Sequence, residues 1–121
     1  MKEEKILEKD IQRFICEWLT KQGIFFWRSN NTPIFGKSGD GQWRYRSMSK
    51  YTPKGLPDMI CLIGGTFIGL EVKRSKQARV KPEQIYIGGQ IKENGGLYYV
   101  VTSLDEVQGI LHLHFPNLKI L

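Results

Sequence analysis

Residues 58–73, DMICLIGGTFIGLEVK, decide the architecture of this chain. Two apolar, β-prone runs, Asp58 to Ile63 and Thr66 to Lys73, are separated only by Gly64-Gly65. Paired glycines supply the left-handed backbone of a two-residue hairpin, so the runs form antiparallel strands. With Ile63 opposite Thr66, stepping outward sets Asp58 opposite Glu71, and Lys73 points the same way. Directly opposed residues carry their Cβ atoms ~4.5–5.5 Å apart on one face.

Flanking patterns supply the rest of the fold. Residues 4–22 read as an amphipathic helix, with Leu7, Ile11, Phe14, Ile15, Trp18 and Leu19 at helical spacing and Gly23 as a stop. Ile24 to Arg28 reads as a short strand. Asn30 to Lys54 is an excursion rich in Gly, Ser, Asn and Pro; a hairpin around Asp40-Gly41 leading into Trp43 to Tyr51 is one reading of it. Pro82 opens a helix through about Glu93, ended by Asn94-Gly95-Gly96. Leu97 to Thr102 is a further strand, and Ser103 with Glu106 forms a capping-box pattern for a last helix. The order is α-β-β-β-α-β-α. Because the hairpin strands are apolar on both faces, helices are expected on both sides of a small mixed sheet, an α/β architecture. At 121 residues the chain is read as a single domain, 1–121.

Charge is unevenly spread. Residues 37–81 hold ten basic residues (Lys37, Arg44, Arg46, Lys50, Lys54, Lys73, Arg74, Lys76, Arg79, Lys81) and three acidic ones (Asp40, Asp58, Glu71), a local charge of +7 within a chain of net charge +6. A central positive excess suits a polyanion such as nucleic acid. Met59 to Leu70 is too short and too interrupted by glycine to span a bilayer. The charged start, MKEEKILEKD, lacks a secretory h-region, which implies an intracellular protein, in the cytoplasm, or the host cytoplasm if viral. Cys16 and Cys61, each among apolar residues and with no CxxC, read as buried reduced thiols.

Two carboxylates facing each other at a sheet end repel. A divalent cation removes that conflict, and oxygen ligands of this kind suit Mg²⁺ or Mn²⁺. The Lys73 ammonium beside them can orient or activate a water, or stabilise charge developing on a phosphate. The competing reading is a set of ordinary strand-end charges with Lys73 as an ion-pair partner.

The strings GLPD at 55–58 and LEVK at 70–73 resemble the PD-(D/E)XK nuclease signature. Gly55, Pro57 and Asp58 before an apolar strand, Glu71-Val72-Lys73, Pro82-Glu83-Gln84 opening a helix and Gly95-Gly96 before a closing strand are together similar to the VRR-NUC family, a branch related to archaeal Holliday junction resolvases. The likeness runs from Glu8 to about Val107; an N-terminal helix in that family carries a Glu four residues before a Gln, matched by Glu8 and Gln12. It implies a restriction-endonuclease-like core, with a metal held by Asp58, Glu71, the Val72 carbonyl and, directly or through water, Glu8. Lys73 would be the catalytic lysine and Gln84 a supporting residue. One departure is Lys81, where the family usually has a helix-capping Ser or Thr; a lysine there could meet a phosphate instead.

The expected function is therefore metal-dependent hydrolysis of DNA phosphodiesters, selective for branched or junction DNA. A homodimer is implied chiefly by the resemblance, with Ile110 to Leu121 serving either as its interface or as intramolecular packing. Alternatives are a flap or nicking endonuclease, an exonuclease, or a non-catalytic nucleic-acid-binding module. Trp43-Arg44-Tyr45-Arg46 interleaves basic and aromatic residues and, with Arg28, Lys50 and Lys54, would line a DNA channel. Arg74, Lys76 and Arg79 are the stronger candidates for backbone contacts. Gly36-Lys37-Ser38 lacks the glycine and the strand-to-helix setting of a phosphate-binding loop, and His112 and His114 read as structural.

Overall fold

A computed structural model describes residues 6–29, 34–46 and 50–119. The elements are α1 (Glu8–Lys21), β1 (Phe25–Arg28), β2 (Ile34–Lys37), β3 (Trp43–Arg46), β4 (Met59–Ile63), β5 (Thr66–Val72), α2 (Pro82–Glu93), β6 (Leu97–Val101) and α3 (Leu104–His114). Strands β1-β4-β5-β6 form a four-stranded sheet in that order, antiparallel except for the parallel β5–β6 pair. The expected order of central strands and helices is observed. The hairpin β2–β3 is a separate two-stranded sheet inserted between β1 and β4, in the segment that raised that reading.

The β4–β5 turn forms for the expected reason. Gly64 and Gly65 have φ of 55° and 81°, a conformation that side chains resist. The ladder then runs from Ile63 opposite Thr66 to Met59 opposite Leu70.

The two faces of the sheet have different partners. One face of β5 presents Ile68, Leu70 and Val72, which join Met59, Cys61 and Val101 against Ile11, Ile15 and Leu19 of α1 and Val107 and Leu111 of α3. Full burial of each such side chain contributes about 1.5–3 kcal/mol. Alternation turns Gly69 and Glu71 to the other face, which is covered by α2. Glycines let α2 come close: a Cβ on Gly69 would lie 2.7 Å from Pro57 Cγ and 3.2 Å from Ile91 Cδ1, and one on Gly88 would lie 2.6 Å from the Tyr98 ring. Helix α2 leaves the β1 end of that face open, where Phe25, Trp27 and Leu62 are exposed.

Several details refine the sequence reading. Helix α1 is described from Glu8, and residues 4 and 5 of the expected helix lie outside the described residues. Ser103 accepts from the Glu106 N–H at 3.2 Å, and Glu106 Oε1 turns back to the Thr102 N–H at 3.3 Å. At the C-terminal end Leu111 is fully buried and Phe115 packs on the core, while Leu113 is exposed; Ile120 and Leu121 lie outside the described residues. Cys16 and Cys61 are free thiols, and burial pushes Cys61 up to about 12. Among the described residues no helix is long and apolar enough to cross a membrane.

Candidate active site

The loop before β4 shows why its residues have the types they do. Gly55 has φ of 90°, and a Cβ there would lie 2.5 Å from the Glu83 carbonyl oxygen, so only glycine lets this loop pass under the first turn of α2. Pro57 is fully buried on Gly69. The next residue, Asp58, enters at the end of β4, where its carbonyl also accepts the Ser29 N–H at 2.9 Å.

Asp58 Oδ2 accepts the Val72 N–H at 2.7 Å, which ties this carboxylate to the backbone of the strand that carries Glu71. Glu71 is only 2% exposed. Its Oε1 accepts from Gln84 Nε2 at 2.7 Å and faces Lys73 Nζ at 3.6 Å. Its Oε2 is buried with no hydrogen-bond partner. Burial is the main cause that pushes Glu71 from 4.5 up to about 8; the Asp58 charge adds to the rise and the Lys73 ammonium opposes it. Glu71 and Lys73 are the buried charged side chains among the described residues.

Gln84 has a second task. Lys81 precedes α2 and makes no side-chain cap, but its N–H donates to Gln84 Oε1 at 2.9 Å. The missing Ser or Thr is thus half replaced from within the helix. One amide holds the start of α2 and orients Glu71.

A buried carboxylate oxygen without a donor, next to a second carboxylate, is an arrangement that a hard cation would complete. The side-chain donors here, Asp58 and Glu71, are all oxygen and fit Mg²⁺ or Mn²⁺. Glu8 is half-buried in the first turn of α1, on the helix that covers the opposite face. Among the described residues no group of three or more His, Cys, Asp and Glu side chains converges, so Glu8 does not join Asp58 and Glu71 as a third carboxylate. Gln12, its helical neighbour, accepts from Arg28 Nη2 at 2.9 Å.

The remaining basic candidates lie on the surface. Lys54, Arg74, Lys76, Arg79 and Lys81 are exposed, as are Arg28 and Lys50. Arg44 and Arg46 occupy β3, and their side chains lie outside the described residues. The sequence reading missed Tyr98, a buried residue of β6 on the Glu71 face with an unpartnered hydroxyl. Its signal was the pair Gly88-Gly89 inside a helix, a poor helical choice unless something packs there.

A solved structure described as "VRR_NUC domain" matches this fold with a TM-score of 0.60 at 20% sequence identity, covering 89% of this chain and 96% of that one. At that identity the likeness defines the fold: a mixed sheet flanked by helices, as in that domain. No protein-family model matches the chain, and no curated protein does.

Proposed function

We propose that this chain is a metal-dependent DNA nuclease of the VRR-NUC and PD-(D/E)XK type. The observation that carries the reading is Glu71: a carboxylate 2% exposed, its Oε2 unpartnered, beside Asp58 and 3.6 Å from Lys73. Such a carboxylate is a costly structural element and a useful ligand. The fold shared with a VRR_NUC domain supports the same reading.

Asp58, Glu71 and the Val72 carbonyl would hold Mg²⁺ or Mn²⁺, with Glu8 contributing through water. A bound divalent cation supplies charge neutralisation and Lewis-acid activation at the phosphate. Lys73 stabilises negative charge developing on that phosphate. Gln84 fixes Glu71, and the Val72 N–H fixes Asp58, so neither carboxylate must reorganise during turnover. In the reaction a water oxygen bonds to phosphorus while the bond to the leaving oxygen breaks in line; the attacking water gives up a proton to solvent and the leaving oxygen takes one from solvent. Arg28, Arg44, Arg46, Lys54, Arg74, Lys76, Arg79 and Lys81 supply phosphate contacts without sequence readout.

Junction or branched DNA cut by a homodimer is the substrate and assembly we infer. The test is cleavage of plasmid, single-strand, duplex, flap and four-way DNA with Mg²⁺, Mn²⁺ or EDTA, with oligomeric state measured by light scattering. Metal-dependent cutting that Asp58→Ala and Lys73→Ala abolish is the expected result. Absence of cutting with either metal, or full activity in those variants, overturns the proposal.

A further inference from the structure

Tyr98 sits on β6 in parallel register with Gly69, two pairs before Glu71 meets Val100. That register puts its side chain on the same sheet face as Glu71 and under α2. The ring fits only because residue 88 is glycine; a Cβ there would lie 2.6 Å from two ring carbons. The residue is 9% exposed, and its hydroxyl is buried without a hydrogen-bond partner.

A buried hydroxyl left unpaired is destabilising, and phenylalanine would fill the same space without that cost. The other buried side-chain oxygen without a partner among the described residues is Glu71 Oε2. The two needs are complementary, since a phenol donates and a carboxylate oxygen accepts through two lone pairs. The groups are also within electrostatic reach: burial chiefly, and then the Glu71 and Asp58 charges, push the Tyr98 hydroxyl up to about 12. A phenol is an ordinary hydrogen-bond donor at neutral pH without any such shift.

We infer that Tyr98 is a positioning residue of this site: its hydroxyl donates to one bridging water that in turn donates to the free Glu71 oxygen, and so sets that carboxylate for a cation. The oxygen retains a second lone pair for the metal. The inference rests on the reading of Asp58 and Glu71 as a metal pair. Gly88 is part of the same device, because it sets how closely α2 presses the ring against the sheet.

The test is Tyr98→Phe in the full chain, with Mn²⁺ affinity measured by calorimetry, Tm measured in EDTA, and kcat and KM measured on cleaved DNA. The expected result is Mn²⁺ binding weakened about 10-fold, as for loss of a partner behind a metal ligand. Tm in EDTA is unchanged or higher, and kcat falls while KM for DNA holds. Mn²⁺ affinity equal to wild type overturns the inference. So does a drop in Tm in EDTA with Mn²⁺ affinity unchanged, which assigns the hydroxyl to the fold. A wild-type protein that takes up no Mn²⁺ overturns the metal pair and this inference together. A wild type that binds Mn²⁺ and leaves DNA intact overturns only the cleavage assignment, and the affinity comparison still decides the role of Tyr98.

Discussion

Gln84 donates to Glu71 across 2.7 Å while its carbonyl oxygen accepts the Lys81 N–H at 2.9 Å. The helix start and the buried carboxylate therefore share one amide. Gln84→Ala removes both bonds and is expected to cost about 1–2 kcal/mol in urea unfolding and about 10–100-fold in cleavage. Gln84→Glu keeps the acceptor for Lys81 but sets a new carboxylate against Glu71, so it should lose more activity than the alanine variant. Equal activity in the two would show that orientation of Glu71 is not the amide's role.

Glu71 makes stability depend on pH. Its value rises from 4.5 to about 8 on folding, so between those limits the folded chain holds a proton that the unfolded chain has released. Stability from this group is full below about pH 4.5 and is lost as pH rises toward 8. In EDTA, wild-type Tm should fall across that window, and Glu71→Gln should flatten the fall and raise Tm at pH 8. Mg²⁺ should recover part of the loss in wild type and none in Glu71→Gln. Thermal melts across the range check each point.

Adjacent glycines in α2 should respond with opposite signs. A Cβ on Gly89 meets nothing within 4 Å, so Gly89→Ala gains helix propensity and should stabilise by about 0.5–1 kcal/mol. A Cβ on Gly88 strikes the Tyr98 ring, so Gly88→Ala should destabilise by about 1–3 kcal/mol despite the same gain in propensity. Denaturant midpoints of the two variants separate packing from propensity directly.

DNA affinity should be steeply salt-dependent. Each phosphate contact contributes a slope of about −0.9 in log K against log salt. Arg74→Ala, Lys76→Ala and Arg79→Ala should each lower affinity for all sequences alike and reduce the slope by about 1. Fluorescence anisotropy in EDTA, where cutting is suppressed, measures both.

What was legible in the sequence was local. Gly64-Gly65 sets the turn, the turn sets the β4–β5 register, and the register brings Asp58 and Glu71 to one end of one face. The start of α2 at Pro82 is likewise written in one residue's chemistry. What could not be read depends on distant segments meeting. Nothing near Tyr98 says that β6 lies parallel beside β5, so its place on the Glu71 face was hidden. The place of Glu8 was hidden for the same reason: it depends on how α1 crosses the opposite face. The unpartnered Glu71 oxygen is a property of packing, which no spacing encodes.

The tight approaches at Gly55, Gly69 and Gly88 have a consequence for how this chain can change over time. Each marks a point where a missing methyl lets one backbone or ring lie against another, and together they locate the helix that carries Gln84. A protein could keep every charged residue of the site and still lose it by acquiring three methyl groups. The distance between Gln84 and Glu71 is governed by residues that carry no chemistry of their own, so the tolerance of this site to drift is set by its smallest side chains.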